Sequence, residues 1–117
     1  MTDLPKYDHE QLDAATALFR PRGNLDIYTS PEFRRIMDDC RESGTRHFIL
    51  DLSGVDYIDS TGLGSLASFM DLLKKNQGSL RLSGLTGVVH KAFVFTNLLD
   101  LFHIFDTAQD AIQSLKQ

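Results

Sequence analysis

Hydrophobic residues along this chain switch repeatedly between a strand-like and a helix-like spacing. Residues 15–22 (Ala-Thr-Ala-Leu-Phe-Arg-Pro-Arg) and 47–52 (His-Phe-Ile-Leu-Asp-Leu) are apolar runs of strand length. Pro21 cannot donate to a ladder, so the first of these strands is expected to end, bulge or lie at a sheet edge near it. Gly23-Asn24-Leu25-Asp26 then reads as a turn, and Ser53-Gly54 bounds the second strand. Residues 79–82 alternate as a third strand, and 103–105 form a short fourth. The polar, unpatterned residues 1–14 read as a loosely ordered start or an edge strand, with one domain over 15–117.

Four helices fall between and after these strands. Thr29-Ser30-Pro31-Glu32 offers a hydroxyl cap, a proline in the first turn and an acid three residues after Thr29. Either Thr29 or Ser30 can be that cap. Phe33, Ile36, Met37 and Cys40 follow as an apolar stripe, and Gly44 stops the helix. A second helix runs from about 61 to 76 with Leu66, Phe69, Met70 and Leu73 inward and Gly64, Ser65, Ser68 and Asp71 on the other side. A third covers 88 to about 96, with Val89, Ala92, Phe93 and Thr96 inward and Val94 pointing away. Leu98, Leu99, Leu101 and Phe102 lead into the strand at 103–105. Asp106 or Thr107 caps a last helix carrying Ala108, Ala111, Ile112 and Leu115. Alternation of strands and helices predicts an α/β domain, a mixed β-sheet of four to five strands covered by about four helices.

Composition narrows the function classes. With 117 residues, 42% hydrophobic and 24% charged, the chain is the size of one domain with one core. A net charge of −4 with scattered Lys and Arg offers no basic footprint for nucleic acid. No apolar run approaches the ~20 residues of a membrane span, and the first residues lack the pattern of a signal peptide. The single cysteine, Cys40, cannot close an internal disulfide, which fits a reducing, cytoplasmic setting. It sits on an amphipathic helix as a small apolar residue. His9, His47, His90 and His103 lack metal-ligand spacing, and Gly84-Leu85-Thr86-Gly87 lacks the following Lys-Ser/Thr of a phosphate loop. No cofactor and no metal are expected.

The most informative stretch is Asp59-Ser60-Thr61-Gly62-Leu63-Gly64, where a buried strand gives way to the second helix. Ser60 there can cap the helix, or present a hydroxyl at its positive end, where a phosphate is electrostatically tolerated. Gly62 and Gly64 each cost about 1 kcal/mol against alanine in a helix, so close approach of another backbone is expected to favour at least one of them. Serine-nucleophile catalysis would require a base and an oxyanion site, and neither a Gly-x-Ser-x-Gly elbow nor a motif-placed histidine is present.

On these residues the chain resembles the STAS domain family of bacterial anti-sigma factor antagonists. The resemblance covers roughly residue 15 to the end and rests on Gly23-Asn24-Leu25-Asp26, Thr29-Ser30-Pro31-Glu32-Phe33, Leu50-Asp51-Leu52 and above all the run from Asp59 to Gly64. It implies a partner-switching regulator rather than an enzyme. Ser60 matches the serine phosphorylated by an anti-sigma factor that is also a serine kinase of histidine-kinase-like ATPase fold. A PP2C-type phosphatase reverses the modification, and the unphosphorylated form binds the anti-sigma factor. Asp26, Asp59, Thr61, Gly62, Gly64, Ser65 and Ser68 are the expected partner-binding positions around it. The alternative is an accessory or scaffold STAS subunit of a membrane transport or other signalling complex.

Overall fold

The structure, a computed structural model, describes residues 4–116. In chain order the elements are β1 (Lys6–Asp13), β2 (Thr16–Leu25), α1 (Ser30–Glu42), β3 (His47–Asp51), β4 (Val55–Ile58), α2 (Ser60–Lys75), β5 (Ser79–Ser83), α3 (Gly87–Phe95), a 3-10 turn (Leu99–Leu101), β6 (His103–Phe105) and α4 (Ala108–Ser114). All six strands belong to one mixed sheet in the order β1-β2-β3-β5-β6, with β4 on β2. Only β1 is antiparallel to its neighbour. Residues 1–3, at the head of the expected loose start, lie outside the described residues.

β2 is longer than its apolar run because it has two partners in succession. Residues 16–19 pair with β3, and from Gly23 onward it pairs with β4. Pro21 falls in the interval between them, where no parallel partner asks for the N–H it lacks, so the strand passes through the proline. Gly23, at φ +82°, takes a left-handed conformation beside a register shift against β4, and residues 23–25 of the expected turn instead continue the strand, which ends before Asp26. The sixth strand, β4, lies in a stretch expected to be loop. Only Val55 and Ile58 of its four residues are buried, too few for a period to show.

Helices α1, α2 and α3 cover one face, burying Ala17, Phe19, Phe48, Leu50, Leu80 and Leu82 beneath Phe33, Met37, Leu66, Phe69, Leu73, Val89 and Phe93. A run of rings holds the centre: Tyr7 and Phe33 pack on Phe19, Phe19 on Phe48, and Phe48 edge-on against Phe69 at 4.9 Å. Cys40 is half-buried and donates its thiol hydrogen to Thr45 Oγ1 at 3.2 Å. Alternate residues point the other way, where Leu18 and Ile49 meet Ala108 and Ala111 of α4. Thr107 caps α4 by accepting from the Asp110 N–H. Thr96, expected inside, is the exposed C-cap of α3 and returns its hydroxyl to the Ala92 carbonyl, while Val94 is exposed as its spacing suggests. Leu99–Leu101 form the 3-10 turn rather than the lead-in to a strand.

α2 ends on Asn76, with Gln77 at φ +63° and Gly78 crossing directly against β3's approach. A Cβ on Gly78 would overlap the Arg46 carbonyl oxygen. Gly78→Ala is therefore expected to destabilise the fold by about 2–3 kcal/mol, read as a lower urea midpoint at unchanged slope.

Candidate functional site

The strand β4 delivers the chain to the end of β2, and α2 starts there. The Asp59 N–H donates to the Leu25 carbonyl at 3.2 Å. Asp59, extended at φ −105°, is the N-cap of α2, and its two carboxylate oxygens serve different segments. Oδ1 accepts from the Gly62 N–H at 2.9 Å, and Oδ2 accepts from the Ile27 N–H at 3.0 Å. The first bond satisfies an orphan donor of the helix; the second ties the β2–α1 loop to the helix start.

Ser60 is thereby relieved of capping. It is the first residue of α2 and exposed, and no hydrogen bond of its hydroxyl is found among the described residues. Of the two roles open to it, the structure removes the N-cap and leaves the exposed hydroxyl at the positive end of a sixteen-residue helix. Thr61 beside it is half-buried.

The loop facing Ser60 is held by its own polar groups. Asp26 Oδ1 accepts from the N–H groups of Tyr28 and Thr29, at 3.0 and 3.1 Å. Thr29 Oγ1 donates to the Asn24 carbonyl at 2.7 Å and accepts from the Asp26 N–H. Thr29 occupies the N-cap position of α1 without a side-chain cap bond, and Ser30 is buried with its hydroxyl unpartnered, so neither hydroxyl caps as expected. Glu32 does not complete a capping box either: its carboxylate pairs with Arg35, whose hydrogen bond holds the Glu32 pKa below its ordinary value. The clamp pushes Ile27 and Tyr28 outward, 59% and 71% exposed. These two were not among the expected site residues; an apolar pair set between a strand end and a helix start is the signal that marks them.

The glycines divide sharply. Gly62 is buried, and a Cβ there would overlap the Leu25 carbonyl oxygen and crowd Ile58 Cγ1 at 2.8 Å. Its close contact is internal, which corrects its assignment to a partner surface. Gly64 is exposed and meets nothing within 4 Å. Ser65 and Ser68 face α1, where Arg34 Nη1 donates to the Ser65 carbonyl at 3.1 Å and to Ser68 Oγ at 3.3 Å. Arg34 also pairs with Asp38 and lies 5.0 Å from the centre of the Phe69 ring, so it locks α1 onto α2. Ser60, Gly64 and Ser68 are exposed along α2, and Asp59 ties the loop that carries the exposed Ile27 and Tyr28 to the start of that helix. Among the described residues no group of three or more His, Cys, Asp or Glu is gathered to hold a metal, and no helix is long and apolar enough to cross a membrane.

Comparison with known proteins matches residues 7–111 to the STAS domain family model, extending the likeness upstream of residue 15 into β1. The anti-sigma-B factor antagonist of Staphylococcus aureus (strain NCTC 8325 / PS 47) is 37% identical over 82 residues, 70% of this chain and 76% of the relative. The anti-sigma factor antagonist SpoIIAA in its unphosphorylated form superposes with a TM-score of 0.82 at 22% identity, covering 95% of this chain and 96% of that one. The phosphorylated form of the Bacillus cell fate determinant SpoIIAA gives 0.74 at 21%, over 94% and 99%. At these identities the two structures establish a shared fold.

Two stability measurements test the geometry. Gly62→Ala is expected to cost about 2 kcal/mol or more by steric overlap, whereas Gly64→Ala is neutral or stabilises by up to about 1 kcal/mol; urea denaturation separates them. Asp59→Ala is expected to cost about 1–3 kcal/mol and to speed amide exchange at both Gly62 and Ile27, a pairing that loss of a simple helix cap would not produce.

Proposed function

The chain belongs to the STAS domain family, and from that premise we propose that it is a phosphorylation-controlled anti-sigma factor antagonist. Its unphosphorylated form binds an anti-sigma factor that is also a serine kinase, and phosphate on Ser60 ends that binding. The observation that carries this is the freed hydroxyl: Asp59 caps α2, so Ser60 Oγ projects from an ordered helix end with no structural duty.

The chain supplies the acceptor and the partner supplies the chemistry. In the transfer, Ser60 Oγ bonds to the γ-phosphorus of ATP, the bond from that phosphorus to the bridging oxygen breaks, ADP leaves, and the hydroxyl proton passes to a base on the kinase. Asp59, each of whose oxygens accepts a backbone N–H, holds the acceptor in place. The protein is a substrate and a ligand, not an enzyme. A kinase of histidine-kinase-like ATPase fold and a PP2C-type phosphatase complete the cycle.

Recognition and release follow from the same surface. Ile27 and Tyr28 supply apolar contact, Gly64 and Ser68 a low-relief helix face, and Asp26, Asp56 and Asp59 a negative field that favours a basic partner surface. Phosphorylation adds about −1.5 to −2 charges and three strong acceptors. The helix dipole offsets part of that charge, so the fold persists. Burying the hydrated dianion at an interface without a dedicated cation costs several kcal/mol, and each ~1.4 kcal/mol lowers affinity tenfold.

Intact-mass and peptide mass spectrometry of the protein from its own cells is expected to find one phosphate, on Ser60 and removed by phosphatase. Ser60→Ala should retain a co-purifying ATPase kinase and Ser60→Asp should lose it, by at least about tenfold in recovery. No phosphate at Ser60 across growth and stress conditions, with a transporter ATPase as the co-purifying partner, would replace this proposal with the accessory-subunit alternative.

A further inference from the structure

At the opposite end of the strands from Ser60, the second face of the sheet is only partly covered. Beyond the C-terminal end of α4, β3 and β5 present His47 and Arg81, bridged by Ser79 Oγ, to a cleft of about 560 Å³, rimmed by Asp13 and Lys116 and floored by Leu12, Ile112 and Leu115. That volume is in the range of small-molecule sites. The apolar floor alone would make it a surface groove; the polar groups give it a direction.

Those groups form one relay. Arg81 Nε donates to Ser114 Oγ at 2.6 Å, which in turn donates to the Ala111 carbonyl. Arg81 Nη1 donates to Ser79 Oγ, and His47 Nδ1 lies 2.8 Å from the same oxygen. In the tautomer in which Ser79 Oγ donates to His47 Nδ1, the imidazole hydrogen stands on Nε2. Arg81 Nη2, His47 Nε2 and Lys116 Nζ then remain as donors. Among the described residues no carboxylate pairs with Arg81 or Lys116. Asp13, the one carboxylate at the rim among the described residues, accepts from the Ala15 N–H, a bond that lowers its pKa.

Among the described residues this partly buried guanidinium bonds to hydroxyls and to no carboxylate, which leaves its charge open to an anion in the cleft. We infer that this cleft binds a small organic oxyanion, its charged head on Arg81, His47 and Lys116 and its apolar body on Leu12, Ile112 and Leu115. Carboxylate and phosphate-monoester heads share the chemistry the donors recognise. His47 supplies an internal reporter. Burial, and next the Arg81 charge, push its pKa below the usual histidine value, with Arg46 adding to the depression and Asp13 opposing it. A bound anion faces the same ring and shifts its titration upward.

The test is a set of ¹H–¹⁵N titrations of the full chain with phenyl phosphate, hexanoate and inorganic phosphate, each to about 10 mM. Saturable shifts are expected at His47, Arg81 and Ser114, with a rise in the His47 ring titration midpoint. Saturation by phenyl phosphate alone identifies a phosphate ligand, by hexanoate alone a carboxylate, and by both a general oxyanion site. Arg81→Gln should weaken binding at least about tenfold, and His90→Gln, on α3, should not. The inference is overturned if none of the probes gives saturable shifts, if the shifts centre elsewhere, or if Arg81→Gln binds as wild type. Should Arg81→Gln fail to fold, the wild-type His47 midpoint decides: no rise on adding a probe overturns the site.

Discussion

The Asp59 carboxylate is the tie on which the candidate site depends. One side chain accepts from two backbone segments that are remote in sequence, Gly62 at the start of α2 and Ile27 in the β2–α1 loop. Its neighbours make that double bond possible: β4 pairs with the end of β2, the Asp59 N–H reaches the Leu25 carbonyl, and Gly62 lets α2 settle against that same carbonyl. Charge-assisted bonds to backbone N–H groups are among the stronger ones in proteins. Here they position a helix end and a loop with one anion, while Asp26 fixes Tyr28 within that loop.

How much of this could be read from residues alone depends on whether a pattern had room to show. α1, α2 and α4 announce themselves because Phe33, Met37, Leu66, Phe69, Leu73, Ala108 and Ala111 recur over enough turns to reveal a period. β3 is legible because both its faces are covered, so its centre is apolar throughout. β4 is not, since four residues with two exposed hold no period, and its existence depends on the far end of β2. The hydroxyl caps expected for α1 and α2 were equally opaque, whereas Thr107 caps α4 as one of the two expected candidates. A carboxylate at Asp59 outcompetes Ser60 for the helix N–H, and Asp26 draws Thr29 into its own turn; composition names the contenders but geometry decides which one bonds. The run from Asp59 to Gly64 stood out as a unit, yet its two glycines play unlike parts, which only the position of the Leu25 carbonyl reveals.

The two ends of the strands differ in character. Toward Ser60 the half-buried Asp26 and Asp59 and the exposed Asp56 accompany apolar Ile27 and Tyr28; at the other end His47, Arg81 and Lys116 line a cleft. A protein with net charge −4 thus keeps a local positive field beside a negative one. The rigid middle, a chain of stacked and edge-on rings from Tyr7 to Phe69, separates them.

That the Ser60 hydroxyl stands outside the hydrogen-bonded framework has a consequence in time as well as in space. A phosphate placed there displaces no internal bond, so the folded chain has nothing to rearrange before or after its arrival. Backbone relaxations of microseconds to milliseconds, which pace many switches, do not enter. Under the proposed function, the lifetime of each state would be set outside the molecule, by how quickly a phosphate is added and removed.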